Sequence, residues 1–208
     1  MANKTYNNQV FINCPFDLEY VEMYRASIFT IIDSGFVPRC SREVNNGNST
    51  RIDNIVKLIR ECKYGLHYLS RIQLNHNNYP RFNMPFEYGI FYGSQKFGTG
   101  DHEKKCSLVL EVEQYRYQHF ISDISGIDVS AHNNDHLELI RKVREWLHTS
   151  SRRKTVPQSN QIIQNFNNFQ NHMRSLCVAE NESYDDMTFL DLTKNMTDWL
   201  RFNDTENA

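Results

Sequence analysis

The sequence predicts an α/β protein. A four- to five-stranded parallel sheet carries helices on both faces, in three layers, and a helical extension follows at the C-terminal end. Three observations lead there. Short apolar runs alternate with helical periodicities from residue 9 to residue 148. The connections between them are mostly short, and such alternation implies parallel strands joined by helical crossovers. Past residue 149 the strand-like runs stop and two amphipathic helical patterns take over. Domains are therefore expected at 1–149 and 150–208.

Gln9-Val10-Phe11-Ile12-Asn13 reads as a buried first strand, closed by the turn Cys14-Pro15-Phe16-Asp17. Asp17 is suited to cap the helix that follows. Residues 18–33 place Leu18, Val21, Tyr24, Ile28 and Ile31 at helical spacing, and Gly35 ends the helix. A second strand, 36–40, contains Pro38 and so belongs at an edge or has an irregular end. The polar stretch 41–50 has turn chemistry at Asn46-Gly47, and helix 51–62 carries a stripe of Ile52, Ile55, Val56 and Ile59. A strand over 64–69 and a polar loop over 70–82 lead to a helix over 83–95. Ser107-Leu108-Val109-Leu110 is the clearest strand, residues 123–129 suggest a short fifth, and 135–148 is an amphipathic helix. The basic stretch 149–156 links to helical patterns at 158–177 and 188–202. Their apolar faces must be buried on the main domain, on each other or on a second subunit.

Composition narrows the function. A formal net charge of -2 over 208 residues offers no overall basic field for nucleic acid. No apolar run approaches the ~18 residues of a membrane span. Five cysteines, an odd number without a CxxC pair, read as reduced thiols of a cytoplasmic protein. Histidines and cysteines form no metal motif, and neither a phosphate-binding glycine loop nor a GxSxG elbow occurs. No metal and no resident cofactor are expected.

What remains is one edge of the sheet. In open parallel sheets, ligands bind beyond the carboxyl ends of the strands, where the strand order reverses. Asn13, Asp17, Arg39, Ser70, Arg71, Arg81, Asn83 and Glu87 all fall at that edge. Glu87 stands in the first turns of its helix, behind a capping Asn83 and a first-turn Pro85, near the positive end of the helix dipole. A carboxylate there among apolar neighbours is suited to act as a nucleophile or to stabilise developing positive charge. It equally serves simply to complement the dipole. Gly89 and Gly93 leave a strip where a sheet or a ligand could approach. Tyr115, Tyr117 and Phe120 read as a packed loop or as a stacking platform.

The VFIN-CPFD turn, the GFVPRC strand and the helix opening PFEYGI resemble the nucleoside 2-deoxyribosyltransferase-like group, whose layout is that of TIR domains. The resemblance spans about residues 9–148 and implies a flavodoxin-like three-layer fold. In deoxyribosyltransferases the Glu of a short E-x-G helix start, similar to Glu87-Tyr88-Gly89, attacks the anomeric carbon. In catalytic TIR domains a Glu on the corresponding helix serves cleavage of the nicotinamide–ribose bond of NAD.

Where the deoxyribosyltransferases have acidic residues, this chain has Ser70-Arg71 and Arg81-Phe82-Asn83. Arginine prefers phosphate or carboxylate, so a nucleotide or NAD is the expected substrate. The resemblance implies Glu87 as the catalytic group. Arg39 and Arg81 would hold phosphates, Asn13 would bond ribose or base, and Phe16 and Tyr88 would flank the base. Asp17, Ser70 and Asn83 complete the substrate-facing set. It further implies a role in bacterial anti-phage defence, and a homo-oligomer is expected. The alternative is a non-catalytic module that senses a nucleotide or assembles with partners. An accessible Glu87 in a cleft favours the enzyme; a Glu87 closed off against an arginine favours the module.

Overall fold

The computed structural model describes residues 5–43, 48–70, 79 and 81–206. The Asn46-Gly47 turn and Arg71 lie outside them. Five parallel strands, β1 (Gln9–Asn13), β2 (Val37–Arg39), β3 (Tyr64–Tyr68), β4 (Cys106–Glu111) and β5 (Val129–Ala131), form one sheet in the order β2-β1-β3-β4-β5. That is the flavodoxin-like order, with its reversal between β1 and β3. Register sets Phe11 beside Gly65 and Asn13 beside His67. β2 is the outermost strand on its side, where the missing N–H of Pro38 is tolerated.

The alternation of side chains along each strand divides the core. Val10, Ile12, Leu66, Tyr68, Leu108 and Leu110 face α1 (Val21–Asp33) and α4 (His136–Ser151). Phe11 faces α2 (Arg51–Glu61) and α3 (Asn83–Phe97), with Ile55, Leu58, Ile59 and Phe91 around it. Leu69, Tyr88, Val109, Tyr117 and Val129 form a smaller group towards β5.

α1 enters through a 3-10 turn, Leu18–Tyr20, instead of starting at residue 18. It ends at Gly35, whose φ of +79° lets the chain reverse while Gly35 N–H and Phe36 N–H donate to Ile32 and Ile31 carbonyls. Ser27 and Thr30, buried in its middle, return their hydroxyls to the carbonyls of Met23 and Ala26. The expected fifth strand lies later than residues 123–129: a 3-10 turn at Ser122–Ile124 takes the first part, and pairing with Val109–Glu111 selects 129–131. α4 runs three residues past its expected end, to Ser151, and closes on Arg152 in the left-handed region.

The extension is continuous with the main core. α5 (Ser159–Glu180) and α6 (Phe189–Glu206) lie against α1 and α4, with Ile162, Phe166, Phe169, Met173, Leu192 and Met196 buried. Phe29 of α1 sits at the centre, its ring 5.4 Å from Phe166, 5.5 Å from Phe169 and 6.2 Å from Trp199. Of the three partners open to these helices, the main domain and each other supply the burial. Among the described residues no helix is long and apolar enough to cross a membrane.

Candidate functional site

The candidate site lies at the carboxyl ends of β1 and β3, where the strand order reverses. Asn13 ends β1 and is almost wholly buried. Its side-chain amide donates to the Met84 carbonyl at 2.8 Å and lies 3.3 Å from His67 Nδ1. An amide N–H can only donate, so Nδ1 of His67 is the acceptor and its proton sits on Nε2. The ring is buried between Tyr88 and Phe91, 5.1 and 4.8 Å away, and burial pushes its pKa down to about 3. His67 is therefore a neutral packing and positioning group. Asn13 spends its amide donors on the first turn of α3 and on His67 and serves as a strut between them.

That strut holds the first turn of α3, and Glu87 follows in the next turn. The residue is 4% exposed, although Phe86 before it and Gly89 two residues on are open. Burial pushes its carboxyl up to about 7, and the Arg51 guanidinium pulls the other way. Arg51 Nη2 stands 3.6 Å from Glu87 Oε1; the arginine side chain is 59% exposed and the carboxylate 6%. Arg51 is the first residue of α2, behind a Thr50 cap that accepts from Asp53 N–H. A carboxyl whose pKa lies near neutrality, beside a cation at a strand-order reversal, suits proton transfer or attack on an electron-poor carbon.

The other expected residues divide. Arg81 reaches this edge, but its Nη1 donates to both carboxylate oxygens of Asp17, at 2.8 and 3.0 Å. Asp17 thus pins the β1 loop to the start of α3; it makes no side-chain cap, contrary to expectation. Asn83 is not the cap either: Phe82 holds that position, and Asn83 is the exposed first residue of α3. Arg39 is committed elsewhere. Its Nε and Nη2 bond the Glu43 carboxylate, Nη1 bonds Gln9 at 2.7 Å, and Nη2 also meets Glu61 at 3.1 Å. This network holds all three nitrogens along the outer edge of the sheet. Phe16 packs edge-on against Tyr24 with Arg42 over its ring. Tyr88 points into the core against His67 and Tyr92, so neither ring stands free beside Glu87. Gly89 has nothing within 4 Å of where a Cβ would stand, so the glycine strip faces open space and not the sheet. Tyr117 is buried, Phe120 packs beside it, and Tyr115 stays exposed.

Ser70 belongs to a second polar group on the same edge, above β3, β4 and β5. His132 Nδ1 accepts from the Asn134 amide at 3.2 Å, which leaves its proton on Nε2, 3.1 Å from Ser70 Oγ. His132 consequently donates to Ser70 and does not act as its base. Burial pushes its pKa down to about 4. Glu111, fully buried, accepts from Val112 N–H at 2.7 Å and meets Arg116 at 3.6 Å; burial raises its pKa. A cleft of about 380 Å³ opens beside this group, lined among others by Tyr20, Arg116 and Asn134.

Sequence reasoning missed Arg51, His67, His132 and Glu111. Arg51 read as the polar start of an amphipathic helix, and the other three sit in or beside apolar strands without a motif. Among the described residues no three His, Cys, Asp or Glu side chains gather as a metal site, and all five cysteines are free thiols. Comparison with protein-family models, with curated proteins and with solved structures gave no match.

Proposed function

We propose that this chain cleaves or transfers an N-glycosidic bond of a nucleotide or NAD-like substrate, with Glu87 as the reacting carboxylate. The observation that carries this reading is the place of Glu87, a carboxyl pushed up to about 7 where the strand order reverses. Breaking the bond between C1′ and the base nitrogen sends the electron pair to the base and leaves an oxocarbenium-like sugar. An ionised carboxylate at that carbon stabilises the cation or bonds to it. Water or a second base then takes the sugar and frees the carboxylate. The resemblance to deoxyribosyltransferases and TIR domains supports the same reaction class, and a role in bacterial defence rests on that resemblance alone.

The test is Glu87→Gln, assayed by chromatography against nucleosides, nucleotides and NAD. Turnover by the wild type that the variant lacks supports the reading; equal turnover in both removes Glu87 from the mechanism. One observation favours a second reading. Glu87 is closed off from solvent and paired with Arg51, as a ligand-sensing module without turnover would have it. Saturable binding of a nucleotide with no product formed would select that reading.

A further inference from the structure

Arg39, Arg51 and Arg81 stand in the described part of the molecule near the carboxyl ends of β1 and β2, with Arg42 beside them over the Phe16 ring, and they differ in how firmly they are held. Arg39 has all three guanidinium nitrogens engaged by Glu43, Gln9 and Glu61. Arg81 grips both oxygens of Asp17. Arg51 has Glu87 as its partner among the described residues, through one contact of 3.6 Å, longer than a hydrogen bond. The pair is also asymmetric: the guanidinium is more than half exposed and the carboxylate nearly sealed.

We propose that Arg51 is an anion-binding residue for which a phosphate group and Glu87 compete. A phosphorylated ligand would draw Arg51 off the carboxylate and onto itself. This rests on the reading of Glu87 as the reacting group. A phosphate offers three oxygens and up to two negative charges, and it meets the planar guanidinium bidentately. One carboxylate oxygen at 3.6 Å is a weak competitor for an exposed guanidinium. The backbone amides of the first turn of α2 lie at the same end and favour an anion. Asp53, in that turn, opposes it, so Arg51 and not the helix end must supply the hold. An unphosphorylated nucleoside would leave the pair closed. Arg51 thereby becomes a specificity-determining residue, selecting substrates that bear a phosphate or pyrophosphate.

The probe is inorganic pyrophosphate, titrated calorimetrically at low ionic strength into the full-length wild type, Arg51→Gln and Glu87→Gln. Wild type should bind, Arg51→Gln should bind about tenfold or more weakly, and Glu87→Gln, having lost the competing charge, should bind several-fold more tightly. Circular dichroism checks that each variant is folded; Arg51→Lys, which keeps the charge and loses the fork, should fall between wild type and Arg51→Gln. No binding by the wild type, equal binding by Arg51→Gln, or no gain in Glu87→Gln overturns the proposal. These outcomes are independent of turnover. Competition without any glycosidic cleavage would retain the anion site and discard the enzyme reading. Cleavage lost in Glu87→Gln without competition would do the reverse.

Discussion

The side-chain amide of Asn13 donates to the Met84 carbonyl at 2.8 Å, fastening the last residue of β1 to the first turn of α3. Through that bond a residue 74 positions earlier sets where Glu87 stands. Asn13→Asp keeps the shape and replaces the donor by an acceptor facing a carbonyl. It should cost about 1–3 kcal/mol in urea unfolding and lower any Glu87-dependent turnover. Asn13→Asp unfolding at the wild-type midpoint would show that the bond does not hold the helix start.

Glu87 has its carboxyl pKa raised to about 7, so the folded state holds this proton more tightly than the unfolded chain between about pH 4.5 and 7. Its contribution to stability is present below that window and is lost as the pH rises through it. The loss is on the order of 3 kcal/mol at about 1.4 kcal/mol per unit. His67 and His132 act oppositely, favouring the fold as pH climbs from about 3 to 6.5. The clean measurement is therefore a difference. Glu87→Gln should match wild type in denaturant midpoint at about pH 4 and exceed it at about pH 8.

The same titration should shape activity. If the ionised carboxylate reacts, kcat/KM rises with pH and levels off above about 7. Arg51→Gln removes the charge that pulls the Glu87 pKa down and should move that limb to higher pH. A limb that stays in place in the variant would assign it to another group.

Gly65 on β3 is a steric requirement. A Cβ there would stand 2.5 Å from His67 Nε2 and 2.7 Å from the Phe91 ring. Both rings are packed and cannot swing aside freely. Gly65→Ala should lose about 1–3 kcal/mol through overpacking and disturb the Asn13–His67 contact. An unchanged melting temperature would mean that the rings have somewhere to go.

Arg25, buried in α1, ties the main domain to the turn between α5 and α6. It donates to the Tyr184 carbonyl at 2.8 Å, meets Asp185 at 3.0 Å and stacks on the Tyr184 ring at 3.8 Å. Arg25→Ala should cost about 3 kcal/mol and expose the chain near residues 181–188 to limited proteolysis. Cleavage no faster than in wild type would show that the apolar face alone secures the extension.

Residues close in sequence carried most of the fold. Apolar runs such as Val10-Phe11-Ile12 and Leu108-Val109-Leu110 mark buried strands because both faces must be covered. The stripes of α4, α5 and α6 mark helices because their period is 3.6. The alternation of these elements determines a parallel sheet, and with it which loops open at the ligand edge. For that reason Asn13, Asp17, Arg81 and Glu87 could be gathered in advance. The partners of those residues were decided only by the tertiary structure. Arg39 and Arg51 are both strand- or helix-end arginines in the sequence. Register and helix placement surround one with Glu43, Gln9 and Glu61 and leave the other on Glu87. Asp17 and Asn83 have the chemistry of helix caps, yet a 3-10 entry and a helix that begins one residue earlier give them other surroundings. Local chemistry determines what a side chain is able to bond. The long-range packing of α2 and α3 on one face of the sheet decides which partner is within reach, and so turns Glu87 from a dipole-complementing acid into a desolvated, arginine-covered one.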